Sequence, residues 1–125
     1  MAEIAVVGAG IAGLATAVAL QRCGHRVAVV EERTDTRSGG GISIWPNALA
    51  ALGEPLVVLQ RAALRDILTA ALEPQTVTTG VALRELKVGA AGVHLRLSDS
   101  TTSDVDAVVG AKAPDRWWHV TSTAR

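Results

Sequence analysis

The fold is decided between residues 3 and 31: "EIAVVGAGIAGLATAVALQRCGHRVAVVE". After Glu3 the stretch opens on a continuous apolar run, residues 4–7, as a parallel strand buried on both faces would. Gly8, Gly10 and Gly13 follow at G-x-G-x-x-G spacing. Apolar residues Ile11, Leu14, Ala15, Val18 and Ala19 then recur at helical spacing, and Gly24 stands where a helix would stop. "HRVAVVEE" is a second strand, with Val27, Val29 and Val30 inward. Strand, glycine turn, helix and strand make one βαβ unit, for which a right-handed crossover and a parallel pair are expected.

In that context the three glycines have separate tasks. Gly8 permits the tight strand-to-helix turn, Gly10 lets a pyrophosphate approach the backbone, and Gly13 allows the helix to pack closely on the strand. The N–H groups around Gly10, Ile11, Ala12 and Gly13 then face the phosphates at the positive end of the helix dipole. Glu31 ends the second strand, 18 residues after Gly13. Its carboxylate can accept hydrogen bonds from both ribose hydroxyls and would repel a 2′-phosphate, which disfavours NADP in this cradle. Glu32 and Arg33 follow at the surface, with Arg33 close enough to meet an adenine. The plainer alternative is that the glycines only pack and Glu31 is a solvated strand end.

Outward from the unit, "TDTRSGGGISI" (34–44) reads as a Gly- and Ser-rich loop. Pro46 can open a short helix that stops at Gly53. A second helix is predicted over 60–72, with Ala63, Leu64, Ile67, Leu68, Ala71 and Leu72 on one side and Pro74 ending it. "TVTTG" leads a third strand into Gly80. "VALRELKV", "GVHLRLS" and "DVDAVVG" then alternate with turn residues, as a three-stranded antiparallel meander would. The predicted fold class is therefore α/β: a Rossmann-like parallel sheet with helices and an antiparallel β-meander crossover. Residues 1–111 are expected to form the domain and 112–125 an irregular tail.

Composition narrows the function. The chain has 125 residues, 49% hydrophobic and 19% charged, with 12 basic and 12 acidic side chains. That is the size and balance of one globular domain. Zero net charge gives no footprint for nucleic acid, and no segment is long and apolar enough for a bilayer. Three Trp and no Phe or Tyr leave the core to Ala, Val, Leu and Ile. The single Cys23 excludes an internal disulfide and points to a reducing, cytoplasmic setting; it reads as a packed, inert thiol. His25, His94 and His119 lack metal-ligand spacing, so no metal site is expected. Asp104 and Asp106 are expected to face solvent. Adjacent Trp117 and Trp118 suggest an exposed patch able to drive self-association.

Gly8-x-Gly10-x-x-Gly13-x-x-x-Ala17, Gly24 and Val27-x-Val29-x-Glu31 resemble the FAD-binding start of the glutathione-reductase-like flavoproteins. "GGGISIWPNALAALG" resembles the loop and short helix of the aromatic-ring hydroxylases, the single-component FAD-dependent monooxygenases related to para-hydroxybenzoate and salicylate hydroxylase. "VVLQRAALRDILTAAL" resembles their next helix, and "TVTTGVALREL" with "GVHLRLSDSTTSDVDAVVGA" their meander and return strand. The resemblance covers nearly all of residues 3–111. It implies FAD as cofactor, NAD(P)H as electron donor and an aromatic or polyketide-like substrate. It also implies cofactor contacts at Arg61, preceded here by Gln60 where the family has His, and at Arg37, set one residue short. For both arginines a solvated surface charge is the alternative.

Three departures bear on activity. Only Glu54, Pro55 and Leu56 separate Gly53 from Val57, where the family has several dozen residues that contribute to its substrate domain. The return strand leads into Gly110-Ala111-Lys112-Ala113, where the family has Gly-Ala-Asp-Gly and the Asp binds the ribityl chain. A donor-only ammonium thus replaces an acceptor. The family's second flavin motif has no counterpart in the 125 residues. The expectation is an internally shortened, C-terminally truncated cofactor-binding part with no catalytic residue of its own and no competence alone. The other expectations are a non-catalytic FAD or ADP module, such as a sensor or part of a split protein, and a decayed remnant.

Overall fold

The computed structural model of the chain describes residues 1–34, 41–43, 58–111 and 119–122, of which 41–43, 58–61 and 119–122 are described by their backbone. The βαβ unit is present. Strand β1 (Glu3–Val7) leads into helix α1 (Ile11–Arg22), which returns to strand β2 (Arg26–Glu31). The two strands pair in parallel, Glu3 opposite Arg26 through Val7 opposite Val30. Strand β3 (Gly41–Ser43) pairs antiparallel with β4 (Val58–Gln60). Neither segment is expected as a strand from the sequence, since three-residue strands are too short to show a period. Helix α2 (Arg61–Ala70) follows, then β5 (Val77–Thr79), which joins β2 in parallel. The short helix expected after Pro46 lies outside the described residues.

The meander is β6 (Leu83–Gly89), β7 (Gly92–Leu97) and β8 (Thr102–Val105), antiparallel throughout. The chain bends at Asp106 and continues as β9 (Ala107–Gly110), parallel to β1. Asp106 anchors that bend to the start of β1. Its carboxylate accepts the Glu3 N–H at 2.7 Å, and its own N–H donates to the Glu3 carbonyl at 2.7 Å. Within the tail 112–125, expected to be irregular, His119–Ser122 form strand β10, parallel to β6. The outer edge of β6 is open to such pairing because β7 takes only its other side. The two larger sheets run β5-β2-β1-β9 and β10-β6-β7-β8.

Strand β1 is buried on both faces from Ile4 to Val7, which is why that stretch reads as an unbroken apolar run. Val6 and Val29 meet Leu14, Ala17 and Val18 of α1 and Leu72 beyond α2. Ala5 and Val7 point the other way, onto Leu83, Leu86, Val93 and Leu95 of the meander. On α1 the buried stripe is Gly13, Leu14, Ala17 and Val18, while Ala15 and Ala19 are exposed. The small residues are turned inward because they let helix and sheet approach closely. On α2, Leu64 and Leu68 are half-buried and Leu72 is buried, whereas Ala63, Ala71 and Ile67 are exposed, Ile67 by 58%. Cys23 is exposed rather than packed.

Candidate cofactor-binding site

The carboxyl ends of β1, β2 and β9 converge on the N-terminus of α1, and the glycine turn sits there. Gly8 has φ of 111°, a backbone conformation that a side chain would strain. Its N–H donates to the Val30 carbonyl at 2.8 Å, so the turn starts tied to the end of β2. Gly10 is the N-cap residue of α1 and supplies no side-chain cap; the first turn holds no acidic residue. The Leu14 N–H donates back to the Gly10 carbonyl at 2.9 Å. The amides of Ile11, Ala12 and Gly13 come before it, as the first donors of a helix do. They leave the positive end of the helix dipole uncompensated by any charge of its own helix.

The glycines divide as their spacing predicts. A Cβ on Gly13 would lie 1.8 Å from the Gly8 carbonyl oxygen and 3.4 Å from the Ala111 Cβ, so glycine is required for helix and turn to meet. A Cβ on Gly10 would have nothing within 4 Å. Among the described residues nothing beyond the chain neighbours fills the space in front of Gly10, and helix amides border it, which fits a diphosphate lying against the backbone.

Glu31 is half-buried at the end of β2. Its Oε2 accepts the Ala9 N–H at 2.6 Å, and its Oε1 accepts the Arg33 N–H at 3.1 Å. Each carboxylate oxygen has a second acceptor position, so both retain capacity toward ribose hydroxyls. Glu32 and Arg33 are exposed just beyond it. Past β5, Val81 N–H donates to the Glu31 carbonyl at 3.1 Å, which brings the Gly80 turn beside the Glu31–Thr34 segment. Arg61 opens α2, but its side chain lies outside the described residues, as does all of Arg37. The structure therefore brings Gly8, Gly10, Ile11, Ala12, Gly13 and Glu31 together and sets Arg33 at their margin.

Two participants were missed in the sequence. Ala9 is bound by Glu31, and Ala111 packs against Gly13, its N–H donating to the Val7 carbonyl at 2.8 Å. The signal for Ala111 was the Gly110-Ala111 pair ending a strand that returns beside β1; only small residues fit against a glycine turn. No group of His, Cys, Asp and Glu able to hold a metal occurs among the described residues. No described helix is long and apolar enough to cross a membrane.

Residues 3–86 match the family described as FAD binding domain. Over 48 residues the chain is 50% identical to a Rhodococcus erythropolis protein whose name assigns it as a 2-heptyl-3-hydroxy-4(1H)-quinolone synthase, covering 38% of this chain and 13% of that one. Among solved structures, the tetracycline destructase Tet(51) is similar with a TM-score of 0.75 at 23% identity, over 90% of this chain and 39% of that one. The 2,6-dihydroxypyridine-3-hydroxylase of Arthrobacter nicotinovorans gives 0.73 at 23% identity, over 90% and 37%. Klebsiella pneumoniae HpxO, complexed with FAD and uric acid, gives 0.72 at 22% identity, over 85% and 38%. The chain thus spans about two fifths of the length of these structures. With the glycine turn, the acid after it and the meander return all in their places, the chain belongs to the FAD binding domain family and has the α/β fold of the cofactor-binding part of FAD-dependent monooxygenases.

Proposed function

We propose that the 125 residues hold the adenosine diphosphate end of FAD, with the amides from Gly10 to Gly13 on the diphosphate and Glu31 on the ribose. The observation that carries this is the contrast between the two glycines: Gly13 is filled to contact, while a Cβ on Gly10 would meet none of the described residues within 4 Å beyond its chain neighbours. Arg33, Arg37 and Arg61 are assigned supporting roles toward the cofactor, on the strength of their sequence positions. When bound, flavin supplies redox chemistry, and the protein supplies orientation and electrostatics. The family resemblance and the similar folds support NAD(P)H-dependent monooxygenation of a small aromatic or polyketide-like substrate as the activity of the lineage, in the cytoplasm.

The same reading gives these residues by themselves binding without hydroxylation. Productive chemistry needs the reacting ring held in place and shielded from water, and proximity alone is worth about 7–11 kcal/mol in well-oriented systems. The chain's own holder is on the adenosine side, and Lys112 replaces the acidic ribityl anchor expected from the resemblance. That substitution favours, as a second reading, a module that takes ADP as well as FAD. The test is titration of FAD and ADP into wild type and Glu31→Ala, with product and peroxide assayed after NADPH and oxygen are added. Binding of both ligands, weakened in the variant, with peroxide but no product, is expected. Equal affinity in wild type and variant contradicts the ribose assignment, and coupled product formation contradicts the lack of competence.

A further inference from the structure

The Glu31 carboxylate is engaged by the protein itself. Its Oε2 takes the Ala9 N–H at 2.6 Å, and Ala9, 5% exposed, lies within the turn between Gly8 and Gly10. The preceding residue of β2 does the same by backbone, the Val30 carbonyl accepting the Gly8 N–H at 2.8 Å. Two successive amides of the turn are thus held by two successive residues of β2. The Oε1–Arg33 N–H bond at 3.1 Å fixes the carboxylate from its other side. A carboxylate accepting backbone N–H groups forms charge-assisted bonds, stronger than neutral ones.

We infer that Glu31 is a positioning residue for the phosphate-binding turn, shaping it before a nucleotide arrives, in addition to its role as ribose acceptor. The inference rests on the nucleotide-binding reading above and deepens it. It has a specific consequence for the ligand. The Ala9 amide is spent on Glu31, so the diphosphate is left with the amides from Gly10 onward. It also sets two effects of Glu31 against each other. Its negative charge opposes a nearby diphosphate, while its bond to Ala9 spares the ligand the cost of ordering the turn. Preorganisation outweighs repulsion in this account.

The test uses two ligands that differ in the ribose alone, ADP and 2′,3′-dideoxy-ADP, titrated calorimetrically into wild type, Glu31→Ala and Glu31→Gln. If Glu31 served the ribose only, dideoxy-ADP would bind all three proteins alike. We expect Glu31→Ala to weaken dideoxy-ADP as well as ADP, dideoxy-ADP by about tenfold, as the loss of one charge-assisted bond would. Glu31→Gln keeps an oxygen that can accept from Ala9 and should recover part of the dideoxy-ADP affinity, a rescue that a general loss of stability would not give. Unchanged or tighter dideoxy-ADP binding in both variants overturns the inference while a weakened ADP leaves the ribose contact standing. The ligand-free proteins give an independent arm: the Ala9 amide should exchange slowly and resonate downfield in wild type and lose both properties in Glu31→Ala. An Ala9 amide indifferent to the substitution overturns the inference whatever the ligands do, whereas a wild type that binds neither nucleotide overturns the nucleotide reading and the positioning role toward it together. Should Glu31→Ala fail to fold, Glu31→Gln carries both arms.

Discussion

Gly10 and Gly13 are the same residue type three positions apart, and their substitution should have opposite consequences. Gly13→Ala brings a Cβ to 1.8 Å from a backbone oxygen, which cannot move without opening the turn. Overpacking of this kind costs about 3 kcal/mol or more, and a thermal melt should show it as a large loss of stability. The Cβ of Gly10→Val would meet none of the described residues within 4 Å beyond its chain neighbours, so the melt should change little while ADP and FAD affinity fall by more than about tenfold, since the side chain takes the diphosphate's place. Loss of stability in Gly10→Val equal to that in Gly13→Ala would contradict the division. The packing role of Gly13 was legible in the sequence, because the motif fixes which glycine meets the turn and helix. The Glu31–Ala9 bond was not, since nothing in a residue string shows that an acid 22 positions on turns back to the glycine turn.

At the scale of elements, the helix stripe was read correctly in period and displaced in phase. Alanine carries little preference for either side, so Ala15 and Ala19 looked as eligible as Ala17, and close helix–sheet contact selected the face with Gly13. Leu14, 2% exposed in that contact, should cost about 3 kcal/mol when replaced by Ala, measured by denaturant unfolding. The meander was legible as short runs parted by turn residues, and the return of β9 came with the resemblance. Two of its bends rest on polar ties. Asp106→Ala removes the acceptor for Glu3 N–H and should cost about 1 kcal/mol by the same measurement. In the β7–β8 turn, the Thr101 hydroxyl and backbone N–H both donate to Asp99 and hold its carboxyl below the ordinary aspartate range. A depressed folded-state value means that the tie is fully present above the ordinary range and is lost as pH falls through the lower one. An NMR titration should therefore place the Asp99 inflection below that range, with the Thr101 amide moving in step; an ordinary value would contradict the tie.

Among the described residues a parallel sheet lies between two helices and a second sheet, with the glycine turn at its carboxyl end. Among the described residues, β9 and β5 end the parallel sheet and Ile67 and Val88 are exposed apolar side chains. Open edges and apolar surface of this kind promote pairing between copies, so sedimentation velocity should show association that rises with concentration; a sharp monomer boundary at every concentration would contradict it. The family and its fold were readable from the N-terminal 31 residues because a βαβ phosphate cradle demands fixed residue types at fixed spacing. The central claim is that the cradle binds adenosine diphosphate through free backbone amides at Gly10. Its most direct measurement is calorimetric titration of ADP into the wild-type chain and into Gly10→Val under identical conditions. Saturable one-to-one binding by the wild type and none by a folded Gly10→Val is expected; ADP binding of equal affinity in both, or binding in neither, would contradict that assignment.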